Sequence, residues 1–211
     1  MLRYKTFVMN PVQVNCYVLW DAETHDGLII DCGAWNETEQ KRLQDFVEGE
    51  GIKLRYLLQT HMHFDHTMGA GFINRQYGLQ PLCHPADQVV YESSADMVKR
   101  WFHIDISNNM TPCQPTLSSS TVITLANTDI QVIHTPGHTP GGICFYIPSQ
   151  RILLSGDTLF RCGIGRTDLP GGSYSQILYS IRTQLFTLPA DTLVLPGHGP
   201  ETRISDEIGN V

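Results

Sequence analysis

The sequence predicts an α/β protein in which two related halves pack sheet against sheet, with helices on the outside. Three observations predict it. Short apolar runs bounded by Gly, Pro and Asp recur along the whole chain and read as strands separated by turns. Stretches with apolar residues at i, i+3 and i+4 fall between them and read as helices. Each half also holds a strand that closes on acid and glycine, Ile29-Ile30-Asp31-Cys32-Gly33 in the first and Leu153-Leu154-Ser155-Gly156-Asp157 in the second. The halves are expected at about 1–105 and 121–211 of a single domain spanning 1–211.

Taken in order, residues 7–9, 16–20 and 28–30 read as successive strands. Asn36 is a suitable cap for a helix that places Leu43, Phe46 and Val47 on one face. Residues 54–59 make the next strand, and a helix is expected from His66 onward. Residues 80–83 read as a short strand, and 86–102 as a helix with Val90, Met97 and Trp101 on one side. From 105 to 120 the chain turns polar, DISNNMTPCQPTLSSS, its most linker-like stretch. Strands resume at 122–125, 130–134, 143–147 and 152–154, followed by a helix over 173–185 and a strand over 192–195.

Composition narrows the function classes. A hydrophobic fraction of 41% in 211 residues supports a buried interior, and 17% charged residues is low for a disordered chain. The net charge of −7, with only four lysines, leaves no basic face for nucleic acid or an anionic membrane. The uncharged stretch 7–20 is interrupted by Asn10, Pro11, Gln13 and Asn15, so it reads as neither a signal region nor a membrane span. A cytoplasmic location is expected. The six cysteines (16, 32, 83, 113, 144 and 162) show no Cys-x-x-Cys spacing and are expected to be reduced, buried thiols.

The chemistry concentrates in four places. Residues 60–69 read THMHFDHTMG, which sets His61, His63, Asp65 and His66 within six positions at the end of a predicted strand. His138 lies in HTPGHTPGG, Asp157 in LLSGDTLF and His198 in LVLPGHGP, each at or just beyond a strand and beside glycine or proline. Neutral imidazole and carboxylate are the usual ligands of catalytic zinc, manganese and ferrous iron. In an extended segment His61 and His63 project to the same side and suit one ion, while Asp65 and His66, after the turn, reach a second position. A carboxylate such as Asp157 can bridge two ions, and ions about 3.5–4 Å apart can hold a hydroxide that is nucleophilic at neutral pH. His25, His84, His103 and His134 lack such spacing and read as satisfied core residues. Asp31 reads as a supporting acceptor at its strand end.

In this order, THMHFDH, PGHTPGG, SGDTLF and PGHG resemble the metallo-β-lactamase-fold superfamily, and the resemblance covers nearly the whole chain. It implies a four-layer αββα sandwich with a binuclear site at the sheet edges. His61, His63 and His138 would then bind the first metal, Asp65, His66 and His198 the second, with Asp157 bridging. The stretch SGDTLFRCGIGRTDLPGGS is similar to the short hydroxyacylglutathione hydrolases of the glyoxalase II type. That resemblance implies two divalent ions, zinc first with iron or manganese suiting the same donors, and cleavage of a small thioester such as S-lactoylglutathione. Asp65 would orient the attacking hydroxide, and Arg166 matches a basic glutathione contact. With thirteen residues after His198, the C-terminal helical domain that holds glutathione in the longer enzymes is expected to be absent.

Two alternatives stay open within the same fold. Persulfide dioxygenases share a similar Gly-Arg-Thr-Asp stretch and would hold one ferrous iron on His61, His138 and Asp157. A lactone or other ester hydrolase would use the same ligands. The β-lactamases of this fold are exported and typically place other ligands at the position of Asp157, which sets them behind.

Overall fold

The computed structural model describes residues 1–103, 106 and 111–211; of Trp101 and Phe102 only the backbone is described, so the predicted Trp101 stripe lies outside the described residues. The first sheet takes its strands in chain order: β1 (Leu2–Met9), β2 (Val14–Asp21), β3 (Asp26–Ile30), β4 (Lys53–Leu58) and β5 (Pro81–Leu82). β1 to β3 are antiparallel, and β4 and β5 continue parallel to β3. A parallel neighbour requires a crossover, and α1 (Glu37–Gly49) provides it between β3 and β4. Asn36 caps α1 by accepting the Glu39 N–H at 3.0 Å, and Leu43 and Val47 form its buried face, as the periodicity predicts.

The second half begins with β6 (Val122–Leu125), β7 (Thr128–His134), β8 (Ile143–Ile147) and β9 (Ile152–Gly156). A small hairpin of β10 (Leu159–Phe160) and β11 (Gly163–Ile164) follows, then β12 (Leu193–Pro196) and β13 (Thr202–Arg203). The second sheet runs in the order β13-β12-β9-β8-β7-β6.

Leu19, Leu28, Ile30 and Leu58 of the first sheet meet Ile130, Val132, Phe145 and Leu154 of the second in one core. On the outer face of the first sheet, Val18, Ile29 and Leu57 pack on Leu43 of α1 and Ile73 of α3 (Ala70–Tyr77). On the outer face of the second, Cys144, Tyr146 and Leu153 pack on Ile177 of α5 (Tyr174–Ser180) and on Ile181 and Leu185 of the π-helical turn that extends it. Helix, sheet, sheet and helix form four layers. Because β2, β8 and β9 are covered on both faces, their apolar residues run consecutively in the sequence, over 16–20, 143–147 and 152–154, rather than alternating. Each large side chain sealed in these layers contributes roughly 1.5–3 kcal/mol relative to exposure.

Several elements differ from expectation. β1 begins at Leu2, five residues earlier than residue 7, because its polar residues lie on the exposed side of an edge strand. The helix expected from His66 is two pieces, α2 (Phe64–Thr67) and α3, since Gly69 donates its N–H to Cys32 O at 2.8 Å. The helix predicted over 86–102 starts as a 3-10 turn, Pro85–Asp87, and continues as α4 (Gln88–Phe102). The described part of the polar stretch is not a linker. Gln114 bridges to β5 and Leu117 is buried in the inter-sheet core, so a polar composition conceals an added sheet edge.

The expectation of six reduced cysteines is also corrected. Cys83 and Cys113, 30 residues apart, form a disulfide where that added segment runs beside β5, while Cys16, Cys32 and Cys144 are buried thiols and Cys162 is exposed. No helix among the described residues is long and apolar enough to cross a membrane.

Candidate metal centre

All seven predicted ligands converge at one end of the two sheets. The ligand atoms of His61, His63 and His138 lie within 4.8 Å of one another, as do those of Asp65, His66 and His198. His61 and His63 follow β4 in the segment that leads into α2, which carries Asp65 and His66. His138 sits in the β7–β8 connection, Asp157 immediately after β9 and His198 after β12. Asp157 faces both sets: Oδ1 is 3.4 Å from His66 Nε2, and Oδ2 is 3.5 Å from His138 Nε2 and 3.7 Å from His198 Nε2. The glycine of Pro196-Gly197-His198 is required by this approach, because a Cβ there would stand 2.2 Å from Asp157 Oδ1.

Four of the five imidazoles are aimed from behind. His66 Nδ1 donates to Asp31 Oδ2 (2.9 Å), His138 Nδ1 to Arg166 O (2.7 Å) and His198 Nδ1 to Gln13 O (3.2 Å). His61 Nδ1 meets Thr60 Oγ1 at 3.1 Å, and that hydroxyl donates to Asp31 Oδ2 at 2.6 Å. These bonds assign the proton to Nδ1 and leave Nε2 free to face the site, the arrangement that orients histidine ligands. His63 is the exception, presenting Nδ1 at 2.9 Å from His138 Nε2.

The electrostatics ask for a cation. Among the described residues, the buried atoms His61 Nε2, His66 Nε2 and Asp157 Oδ1 find no hydrogen-bond partner. Leaving such atoms unsatisfied costs about 1–3 kcal/mol each, which a bound ion would remove. Burial pushes the His61 imidazole well down and His63 to about 3, so both are neutral lone-pair donors. Burial also opposes charge on His66, but Asp65, Asp31 and Asp157 together outweigh it and push its pKa well up. Three carboxylates around one buried ring draw positive charge to this point, which a metal ion would also supply.

Above the donors opens a cavity of about 540 Å³ lined by Val12, Phe64, Met97, Phe160, Ile164 and Leu169, with Arg166 at its margin. Arg166 binds Asp168 through two parallel bonds, Nε to Oδ1 (2.7 Å) and Nη2 to Oδ2 (2.8 Å), so its side chain is already engaged. His84 and His134 are half-buried and stacked, with centroids 4.2 Å apart and no ring in the cluster. His25 and His103, expected in the core, are exposed residues with positive φ. Polar residues tolerate that conformation where the chain turns.

Two supporting residues escape sequence reasoning. Asn15 Nδ2 donates to Pro196 O (3.0 Å) and Gly199 O (2.9 Å), bracketing the turn that carries His198. Asp87 is fully buried and accepts from Met62 N (3.0 Å), Thr139 Oγ1 (2.9 Å) and Gly141 N (2.5 Å). The sequence offers no cue for Asp87, which falls inside the helix expected over 86–102.

Comparison with known proteins identifies the family. The family model described as Metallo-beta-lactamase superfamily matches residues 9–198. The hydroxyacylglutathione hydrolase GloC of Haemophilus influenzae is 34% identical over 196 residues, which cover 92% of this chain and 90% of that one. The crystal structure of the BLEG-1 B3 metallo-beta-lactamase is similar with a TM-score of 0.88 at 30% identity, covering 98% of this chain and 97% of its own. TTHA1623, solved in a di-iron-bound form, gives a TM-score of 0.83 at 32% identity, with 97% and 96% covered. Matched in sequence and fold over nearly its whole length, the chain belongs to the metallo-beta-lactamase superfamily.

Proposed function

We propose that this metallo-hydrolase cleaves a small thioester of the S-lactoylglutathione kind, using two divalent ions. The observation that carries the reading is the double donor set, His61/His63/His138 and Asp65/His66/His198, with Asp157 turned toward both. On this reading these residues would hold the two ions, with Asp157 placed to serve both sets. Zinc is the first expectation; the iron pair of TTHA1623 supports iron as an alternative, and manganese suits the same donors. When bound, such ions polarise a carbonyl and make water nucleophilic at neutral pH.

The chain's own groups do the rest. Asp65 Oδ2, 3.2 Å from His198 Nε2, orients the attacking water and accepts its proton. The apolar walls formed by Phe64, Met97, Phe160 and Ile164 exclude bulk water from the acyl group. Among the described residues that line the cavity there is no serine, cysteine or lysine, so no acyl-enzyme is expected. The likeness to GloC supports a glutathione-linked thioester. Arg166 would grip the anionic end of such a substrate after releasing Asp168.

The likeness to BLEG-1 favours a second reading, hydrolysis of a β-lactam, in which the attacked carbonyl belongs to a ring amide. One set of assays on the purified protein separates the readings. The thioesterase reading expects about two ions per chain and oxygen-independent thiol release from S-lactoylglutathione, well ahead of turnover of nitrocefin. Nitrocefin as the better substrate would favour the lactamase reading. One iron per chain, with oxygen uptake on glutathione persulfide and no thioester cleavage, would replace both by a dioxygenase.

A further inference from the structure

The residue after His61 and the residue after His138 are held by the same carboxylate. Met62 N and Thr139 Oγ1 both donate to Asp87 Oδ2, at 3.0 and 2.9 Å, and Gly141 N donates to Oδ1. We propose that Asp87 is a positioning residue of the metal site: it sets the separation between the His61/His63 segment and the His138 loop, and so the geometry of the first ion's ligands. The inference rests on the reading of those three histidines as ligands.

Three features set Asp87 apart from a structural aspartate. It occupies the N-cap position of α4, where an aspartate side chain normally accepts an N–H of the first turn, yet its carboxylate makes no capping bond. That interaction is forgone, and the carboxylate points away from its own helix. All three donors it meets belong to other elements, one in the first half and two in the second, so the bonds tie the halves together beside the ligands. The contact is also shaped for this partner. A Cβ at position 141 would lie 2.7 Å from Asp87 Oδ1 and 2.6 Å from Asp87 N, so only glycine admits the approach. The second glycine-bearing half of HTPGHTPGG thereby acquires a physical reason that metal binding alone does not provide.

The effect on the ligands follows from leverage. His61 and His63 flank Met62, and Thr139 is bonded to His138, so a shift of either backbone moves a ring nitrogen directly. Metal sites lose affinity with small displacements of their ligands, and loss of an orienting partner typically costs 10–100-fold.

The test measures metal affinity, not activity alone. Asp87→Asn keeps the side-chain shape but turns a donor toward donors. It is compared with wild type and with Leu43→Ala, a cavity variant in the α1 core away from the site. Affinities for zinc are read by competition with a chromophoric chelator, coordination by the visible spectrum of the cobalt-loaded protein, and stability by melting of the metal-free protein. We expect Asp87→Asn to weaken one of the two ions about 10–100-fold and to shift the cobalt bands. Leu43→Ala should melt lower while keeping both affinities. Wild-type affinities and spectrum in Asp87→Asn would overturn the proposal, and so would an equal affinity loss in Leu43→Ala. If Asp87→Asn does not fold, Thr139→Val removes one of the bonds and Thr139→Ser retains it. Weakening in the first with recovery in the second supports the proposal, and no difference between them overturns it. A wild-type protein that binds no zinc would instead overturn the metal reading itself, and this inference with it.

Discussion

His66 Nδ1 lies 2.9 Å from Asp31 Oδ2, with the two side chains only 0% and 2% exposed. Asp31 also accepts from Thr60 N at 2.8 Å and Thr60 Oγ1 at 2.6 Å, so one carboxylate at the end of β3 supports both His66 and, through Thr60, His61. Its backbone has φ of 55°, a conformation that asparagine tolerates well. Asp31→Asn should therefore fold while losing an acceptor. Zinc affinity should fall about 10–100-fold, measured by equilibrium dialysis with elemental analysis. Retention of both ions at wild-type affinity would remove Asp31 from the account.

Which histidines bind metal can be read by counting ions. His63→Ala and His66→Ala should each lower bound metal by about one ion per chain and cut the proposed thioesterase activity by orders of magnitude. His25→Ala and His103→Ala, at exposed turns, should leave the metal content unchanged. Equal losses in the two groups would mean that the ligand assignment is wrong.

The Arg166–Asp168 pair makes a prediction in both directions. If Arg166 grips substrate, Arg166→Ala should raise KM for S-lactoylglutathione and spare a small uncharged thioester. Asp168→Ala frees the guanidinium and should lower KM for the anionic substrate. A pair with its side chains 57% and 68% exposed is screened by solvent, so neither change should alter the melting temperature much. Parallel losses on charged and uncharged substrates would make Arg166 a loop-positioning residue, through the carbonyl that receives His138 Nδ1.

Thiol counting tests the disulfide. Denatured without reductant, the chain should titrate four thiols, and six after reduction. A bridge closing a 30-residue separation is worth about 3–4 kcal/mol, so reduction should lower the melting temperature. Six thiols before reduction would restore the original expectation of free cysteines.

The layered α/β architecture and most of the inner strands are legible in the sequence because burial on both faces writes itself as continuous apolar runs. Leu153 and Leu154 on β9 are an instance. The cluster of candidate ligands is legible because metal chemistry needs a few residue types at strand ends. What stays hidden depends on contacts between distant segments. Asn15 reads as an interruption in an apolar stretch, and Asp87 as one more polar residue of the helix expected over 86–102. Only the fold shows that both spend their polar atoms on loops carrying histidines. The segment around Gln114 is hidden for the same reason: its place beside β5 is set by pairing, not by its polar composition.

Each proposed ion draws ligands from both halves of the chain: His61 and His63 with His138, and Asp65 and His66 with His198. An ion held this way binds the docked sheets and not the separated ones, so binding and docking are thermodynamically linked. Free metal at a hundred times its dissociation constant would add about 2.7 kcal/mol to stability. The melting temperature would then report metal concentration, rising with zinc and falling with chelator. For such a chain, metal starvation is also a loss of robustness: the metal-free protein is idle and at the same time easier to unfold, and so easier to degrade.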